Sequence, residues 1–134
     1  MIIFRWIPIC ILFILLGFHS TQMAEAESKT DLLLLQDLSG LSGKEGMVLT
    51  VRFSPGEASP EHRHNAHTFV YVLEGSVIFQ VAGGQPVTLK AGETFYESPK
   101  DIHTVSKNAS DALPAKFLVF FVKNKGAPPL IPIN

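Results

Sequence analysis

The chain has 134 residues, 46% of them hydrophobic and 17% charged, which suits one globular core and is too short for two. Eleven Lys and Arg stand against twelve Asp and Glu, a net charge of −1. That balance excludes a disordered or acidic-tailed chain, and without a basic run there is no electrostatic footprint for nucleic acid.

The first elements in chain order read as an address. Arg5 precedes the apolar run Trp6 to Phe18, which is followed by His19-Ser20-Thr21-Gln22 and the small-x-small pattern Ala24-Glu25-Ala26. This is the layout of a secretory signal peptide over residues 1–26. The run is shorter than the roughly 20 residues a spanning helix needs. Cleavage after Ala26 is expected, with an uncleaved anchor as the alternative, and the product is periplasmic or secreted. Cys10, the single cysteine, leaves with that segment, so no thiolate serves residues 27–134 as nucleophile or ligand.

Beyond Ala26 the chain alternates short apolar clusters with turn residues. The clusters are Leu32-Leu35, Met47-Phe53, Phe69-Leu73, Val77-Val81, Val87-Leu89 and Phe117-Val122. Between them fall Gly40, Gly43, Pro55-Gly56, Glu74-Gly75, Gly83-Gly84, Ala91-Gly92 and Pro99. Strand formers between such regular turns predict an all-β sandwich or barrel. Gly83-Gly84 fits a hairpin turn. Only Leu32-Leu35 is ambiguous, because a leucine run suits a short helix as well. The aromatic residues, Phe69 and Tyr71 among them, are expected in the barrel core. The proline-punctuated tail from Gly126 to Pro132 is expected to lie along the body or act as a contact arm. The Val- and Phe-rich strands and this tail suit a homodimer.

The chemistry-bearing residues are histidines. His62 and His64 are one residue apart, so on a strand their rings share a face, with Cα atoms roughly 6.6 Å apart. Both can then meet one ion at about 2.0–2.1 Å. His103, 39 residues on, joins them only if the fold lays its strand alongside. Two same-face imidazoles without a metal would repel when protonated and need partners when neutral, so a metal centre is the favoured reading.

The pattern Gly56-x5-His62-x-His64-x3-Thr68-x6-Gly75 resembles the first motif of the cupin superfamily. Gly92-x5-Ser98-Pro99-Lys100-x2-His103, followed by Asn108, resembles the second. Val70-Tyr71-Val72-Leu73-Glu74-Gly75 and Ala91-Gly92-Glu93 add to the likeness, which runs from about Gly46 to Val122. The resemblance implies a small antiparallel jelly-roll barrel with a metal at its centre, frequently dimeric, with His62, His64 and His103 as ligands. The glutamate of the first motif is replaced by Thr68, or by Phe69 at the longer spacing. Ser98 and Lys100 replace the proline and glycine of the second.

Three neutral imidazoles leave a divalent ion its whole +2 charge, so the centre is expected to be a strong Lewis acid that draws a small anionic ligand. The ligand set is similar to that of cupin thiol and diketone dioxygenases and of three-His zinc hydrolases. The expected cofactor is one divalent transition ion, drawn from Fe, Zn, Mn, Cu or Ni. The rival expectation is a non-catalytic small-ligand or interaction module with a degenerate site. His67 is a candidate fourth ligand if a bulge turns it inward. Thr68 can hydrogen-bond a metal-bound water or anion. Glu97 can support a ligand histidine or act as a base, although a rim carboxylate is the favoured reading, and Tyr96 is expected to line the cavity or pack.

Overall fold

The computed structural model describes residues 28–133, so the expected signal peptide lies outside the described residues. These form ten strands: β1 (Lys29–Asp37), β2 (Lys44–Phe53), β3 (His62–Arg63), β4 (Ala66–Glu74), β5 (Ser76–Val81), β6 (Val87–Lys90), β7 (Thr94–Glu97), β8 (Ile102–Asn108), β9 (Ala115–Asn124) and β10 (Ile131–Pro132). They build two sheets, ordered β1-β2-β9-β4-β7 and β10-β3-β8-β5-β6. Every strand pair is antiparallel. This is the all-β jelly roll that the turn spacing and motifs anticipate. No helix among the described residues is long and apolar enough to cross a membrane.

Pleating sorts the side chains. Along β4, Ala66, Thr68, Val70 and Val72 point into the sandwich while His67, Phe69, Tyr71 and Leu73 point out. Along β9, Phe117, Val119 and Phe121 join the core beside Leu49, Phe53, Val77, Phe79 and Leu89. Phe79 packs edge-on against Phe117, with ring centroids 5.5 Å apart. Phe69 and Tyr71 are both 45% exposed, which corrects the expectation that they fill the core. They alternate with inward residues on a strand that is apolar on both faces, so composition hid which set was buried.

The glycine-marked turns fall where expected. Gly75 links β4 to β5 with φ +69°, and a Cβ there would meet the Pro114 carbonyl oxygen at 2.5 Å. Only glycine fits both requirements. The Leu32-Leu35 run is strand, not helix, and it belongs to an edge strand exposed at every residue. The tail returns along the body, where Ile131 and Pro132 pair with Arg63 and His62. Its root is held by Lys123, buried and paired with Glu45, whose ammonium also donates to the Ala127 carbonyl.

Candidate metal centre

Register places the histidines. His62 on β3 lies directly opposite His103 on β8, and the two rings stack with centroids 5.1 Å apart and planes 8° apart. His64 is not on a strand. It occupies the short link where the chain leaves one sheet for the other, between β3 and β4. Its ring still meets the others, at 4.9 Å from His62 and 5.8 Å from His103.

Each of these rings has Nδ1 committed to a backbone carbonyl. His62 donates to Pro60 at 2.8 Å, His64 to Pro129 at 2.6 Å and His103 to Val105 at 3.3 Å. A carbonyl only accepts, so Nδ1 carries a proton, and in the neutral ring Nε2 is then the atom that can ligate a metal. Burial pushes the His62 imidazole below its ordinary pKa, against the pull of its bond to Pro60. Burial also pushes His64 down, overriding the attraction of Glu97. Both are therefore held neutral.

Glu97 departs from the expectation of a rim carboxylate. It is 2% exposed, because it ends β7 with its side chain turned inward, opposite Thr68 on β4. Its Oε2 lies 2.6 Å from His103 Nε2 and 3.8 Å from His64 Nε2. The angle at the shorter contact makes no hydrogen bond, and both atoms are buried without a partner. The two atoms thus face one another in a buried site, an arrangement that a cation between them would relieve. Ligand atoms of His64, Glu97 and His103 all lie within 4.8 Å of one another, and this group can hold a metal ion. The donor set, imidazole nitrogen with carboxylate oxygen, suits a divalent transition ion.

His62 is not in that group, and with Glu97 in it a bound divalent ion would keep a charge of +1, not the +2 expected from three imidazoles.

The site opens into a cavity of about 130 Å³ lined by Leu49, Val70, Phe79, Phe117 and other apolar side chains, with the Thr68 hydroxyl inside it. Thr68 is fully buried and its Oγ1 has no hydrogen-bond partner. Pro129 and Leu130 of the tail close one side. Among the described lining residues there is no Lys or Arg.

His67 and Tyr96 stand elsewhere. They face outward on β4 and β7, joined by a 2.7 Å hydrogen bond between His67 Nδ1 and the Tyr96 hydroxyl. Tyr96 does not line the cavity, because Glu97 takes the inward position and the next residue along a strand must face away. The links to Pro129 and the central place of Glu97 escaped sequence reading. Both depend on contacts between strands distant in sequence.

The family model for the cupin domain matches residues 49–121. The chain belongs to the cupin family. No curated protein matches it. An uncharacterised conserved protein with a double-stranded β-helix domain from Klebsiella pneumoniae is similar in fold. Its TM-score is 0.63 at 18% identity, over 82% of this chain and 89% of that one. The DMSP lyase DddQ from Ruegeria pomeroyi aligns with a TM-score of 0.62 at 19% identity, over 78% of this chain and 51% of its own. An oxalate oxidase in complex with the substrate analogue glycolate aligns with a TM-score of 0.56 at 24% identity, over 66% of this chain and 46% of its own. This cupin therefore spans about half the length of those two enzymes. At these identities the likeness is one of fold.

Proposed function

We propose that this cupin binds one divalent transition ion through His62, His64, His103 and Glu97, and uses it to hold a small anionic molecule. The supporting observation is the pair of buried, unpartnered atoms Glu97 Oε2 and His103 Nε2, 2.6 Å apart. Bound there, iron, zinc, manganese, copper or nickel supplies Lewis acidity, and the redox-active members of that set add electron transfer. The chain's own residues set the rest. The three backbone carbonyls orient the rings, the apolar wall excludes water, and Thr68 Oγ1 is free to hydrogen-bond the ligand's head.

The cavity limits that ligand. A water occupies about 10–15 Å³ of such volume, so about 130 Å³ admits roughly ten non-hydrogen atoms. With no Lys or Arg in the described lining, a second anionic group on the ligand would be unpaired and costly. The ligand class is a small monoanion with one metal-binding head and an apolar remainder. The oxalate oxidase neighbour is in complex with glycolate, a small carboxylate and so the same class of head group.

A binding module without turnover is the second reading. It is favoured by the acid–base inventory, since Glu97 is the one carboxylate in the described lining and ligation would occupy it. Export of the domain, with cleavage after Ala26, completes the proposal and rests on the N-terminal sequence alone.

Metal analysis of the purified protein tests the first step, with near one equivalent per chain expected and a sharp drop in His103→Ala. Metal content unaffected by that change ends the proposal. Oxygen uptake with small hydroxy acids and other monoanions then separates turnover from simple saturable binding.

A further inference from the structure

The cavity has a direction. Its lining draws on all five strands of one sheet, in spatial order Glu97 on β7, Thr68 on β4, Val119 on β9, Leu49 on β2 and Thr30 on β1. Neighbouring strands lie about 4.7–4.9 Å apart, so four steps carry it about 19 Å across the sheet. A volume of about 130 Å³ drawn out over that length is narrow, and the roughly ten atoms it admits stand in a file. A ring or a branched body does not fit such a file.

The two ends differ. At the β7 end stand Glu97, His103 and the unpartnered Thr68 hydroxyl, all buried. At the β1 end the cavity meets solvent, because among the described lining residues only Thr30 and Leu130 are exposed. No pairing closes the barrel between them, since β1 and β10 are the outer strands of separate sheets. The lips of this opening are apolar. Leu130 on the tail is 44% exposed, and Leu32 on β1 is 59% exposed. Register puts Leu32 on the same inner face as Thr30, since the two lie opposite Leu49 and Val51, both of them cavity residues. The leucines continue the apolar wall outward, where a chain leaving the cavity would cover them. No Lys or Arg stands in the described lining, so this end offers no partner to a second charge.

We infer that the ligand is an unbranched alkyl monoanion, its head at the metal and its chain running across the strands from Glu97 to leave between Thr30 and Leu130. Only the head rests on the metal-centred reading above; the chain's path rests on the shape and apolarity of the cavity. The chain is longer than the cavity, and its free end lies against Leu32 and Leu130.

Titration calorimetry of the zinc-loaded protein with straight-chain monocarboxylates from butanoate to dodecanoate tests the inference. Zinc has no redox chemistry, so binding is read without turnover. Affinity should rise about fourfold per methylene, as for apolar burial, and keep rising past the length that fills the cavity. The branched isomer of octanoate, 2-propylpentanoate, should bind about tenfold more weakly or worse than octanoate, because it overfills a narrow space. Leu32→Ser should lower the ratio of dodecanoate to butanoate affinity by about fourfold or more. Equal binding of the two isomers, which needs no variant, overturns the inference, as does a ratio unmoved by Leu32→Ser. Affinity that levels off once the cavity is full also overturns it, the outcome if a second copy or residues 1–27 cover the lips. The same series without zinc separates the two readings. Increments that persist while butanoate binding is indifferent to zinc overturn the metal-held head and leave the chain's path standing. Zinc-dependent binding without increments overturns the path and leaves the metal centre.

Discussion

Thr68 and Glu97 lie directly opposite each other on β4 and β7. Thr68 stands where the first cupin motif carries its glutamate, and Glu97 supplies a carboxylate from the neighbouring strand, one cross-strand step of about 4.5–5.5 Å between Cβ atoms away. The charge is retained in the site while the strand that delivers it changes. Glu97→Gln should weaken metal binding at least about tenfold without lowering the melting temperature of the metal-free protein, because Oε2 has no hydrogen bond to lose. Thr68→Glu with Glu97→Thr should recover much of the affinity. Titration calorimetry and thermal melts report both, and a large loss of metal-free stability in Glu97→Gln would contradict this account.

Acid should destabilise the metal-free protein through His62 and His64. Both have folded pKa values below the ordinary 6.5, lowered by burial. As pH falls through 6.5 the unfolded chain takes up protons before the folded one, so stability is full above that value and is lost progressively toward the lowered folded values. Melting temperatures should be level from about pH 8 to 7 and decline toward pH 5. His64→Gln should flatten the decline, and an unchanged slope would remove that residue from the explanation.

The tail reaches the site through the Pro129 carbonyl and the β10 pairing. Ending the chain after Gly126 removes Pro129, whose oxygen fixes the His64 ring at 2.6 Å, and the β10 pairing beside His62. The hydrophobic core contains no residue from that segment. Metal affinity should therefore drop about 10–100-fold, as for the loss of a group that orients a ligand, while the barrel still unfolds cooperatively. Undiminished affinity would mean that His64 holds its orientation without the tail.

Gly75→Ala should cost about 2 kcal/mol or more, since it combines a left-handed backbone with a steric overlap. Its φ is +69° and the new Cβ would sit 2.5 Å from the Pro114 oxygen. For a domain of about 100 residues that is a fall of roughly 8–16 °C in Tm. Gly83→Ala, at φ +80° with open space around it, isolates the backbone part and should cost less.

A truncation of the Phe79 ring, packed against Phe95, Phe117 and His103, should be costlier still. Phe79→Ala is expected to lose about 3–5 kcal/mol and to widen the cavity beside the site. Chemical denaturation measures the loss.

Much of the fold was readable because turn chemistry is local. Gly75 and Gly83 take a backbone conformation that other residues resist, so they mark strand ends whatever surrounds them. The same holds for the spacing of His62 and His64, which keeps two rings near each other under either a strand or a tight link. Which apolar residues are buried was not readable on β4, because Val70 and Phe69 are equally apolar and only the opposing sheet distinguishes them. Glu97 gave no local sign of its place in the site, since a carboxylate at a strand end is an ordinary solvent-facing feature.

From the sequence alone came the all-β class, the two cupin motifs and the three histidines, since each rests on short-range geometry or residue type. The three-dimensional arrangement decided that β7 lies beside β4 and so brings Glu97 to His103, that the Pro129 carbonyl reaches His64, and that β1 is the edge strand among the described residues. These are pairings across dozens of residues, set by how two sheets close around one core, and no local preference encodes them.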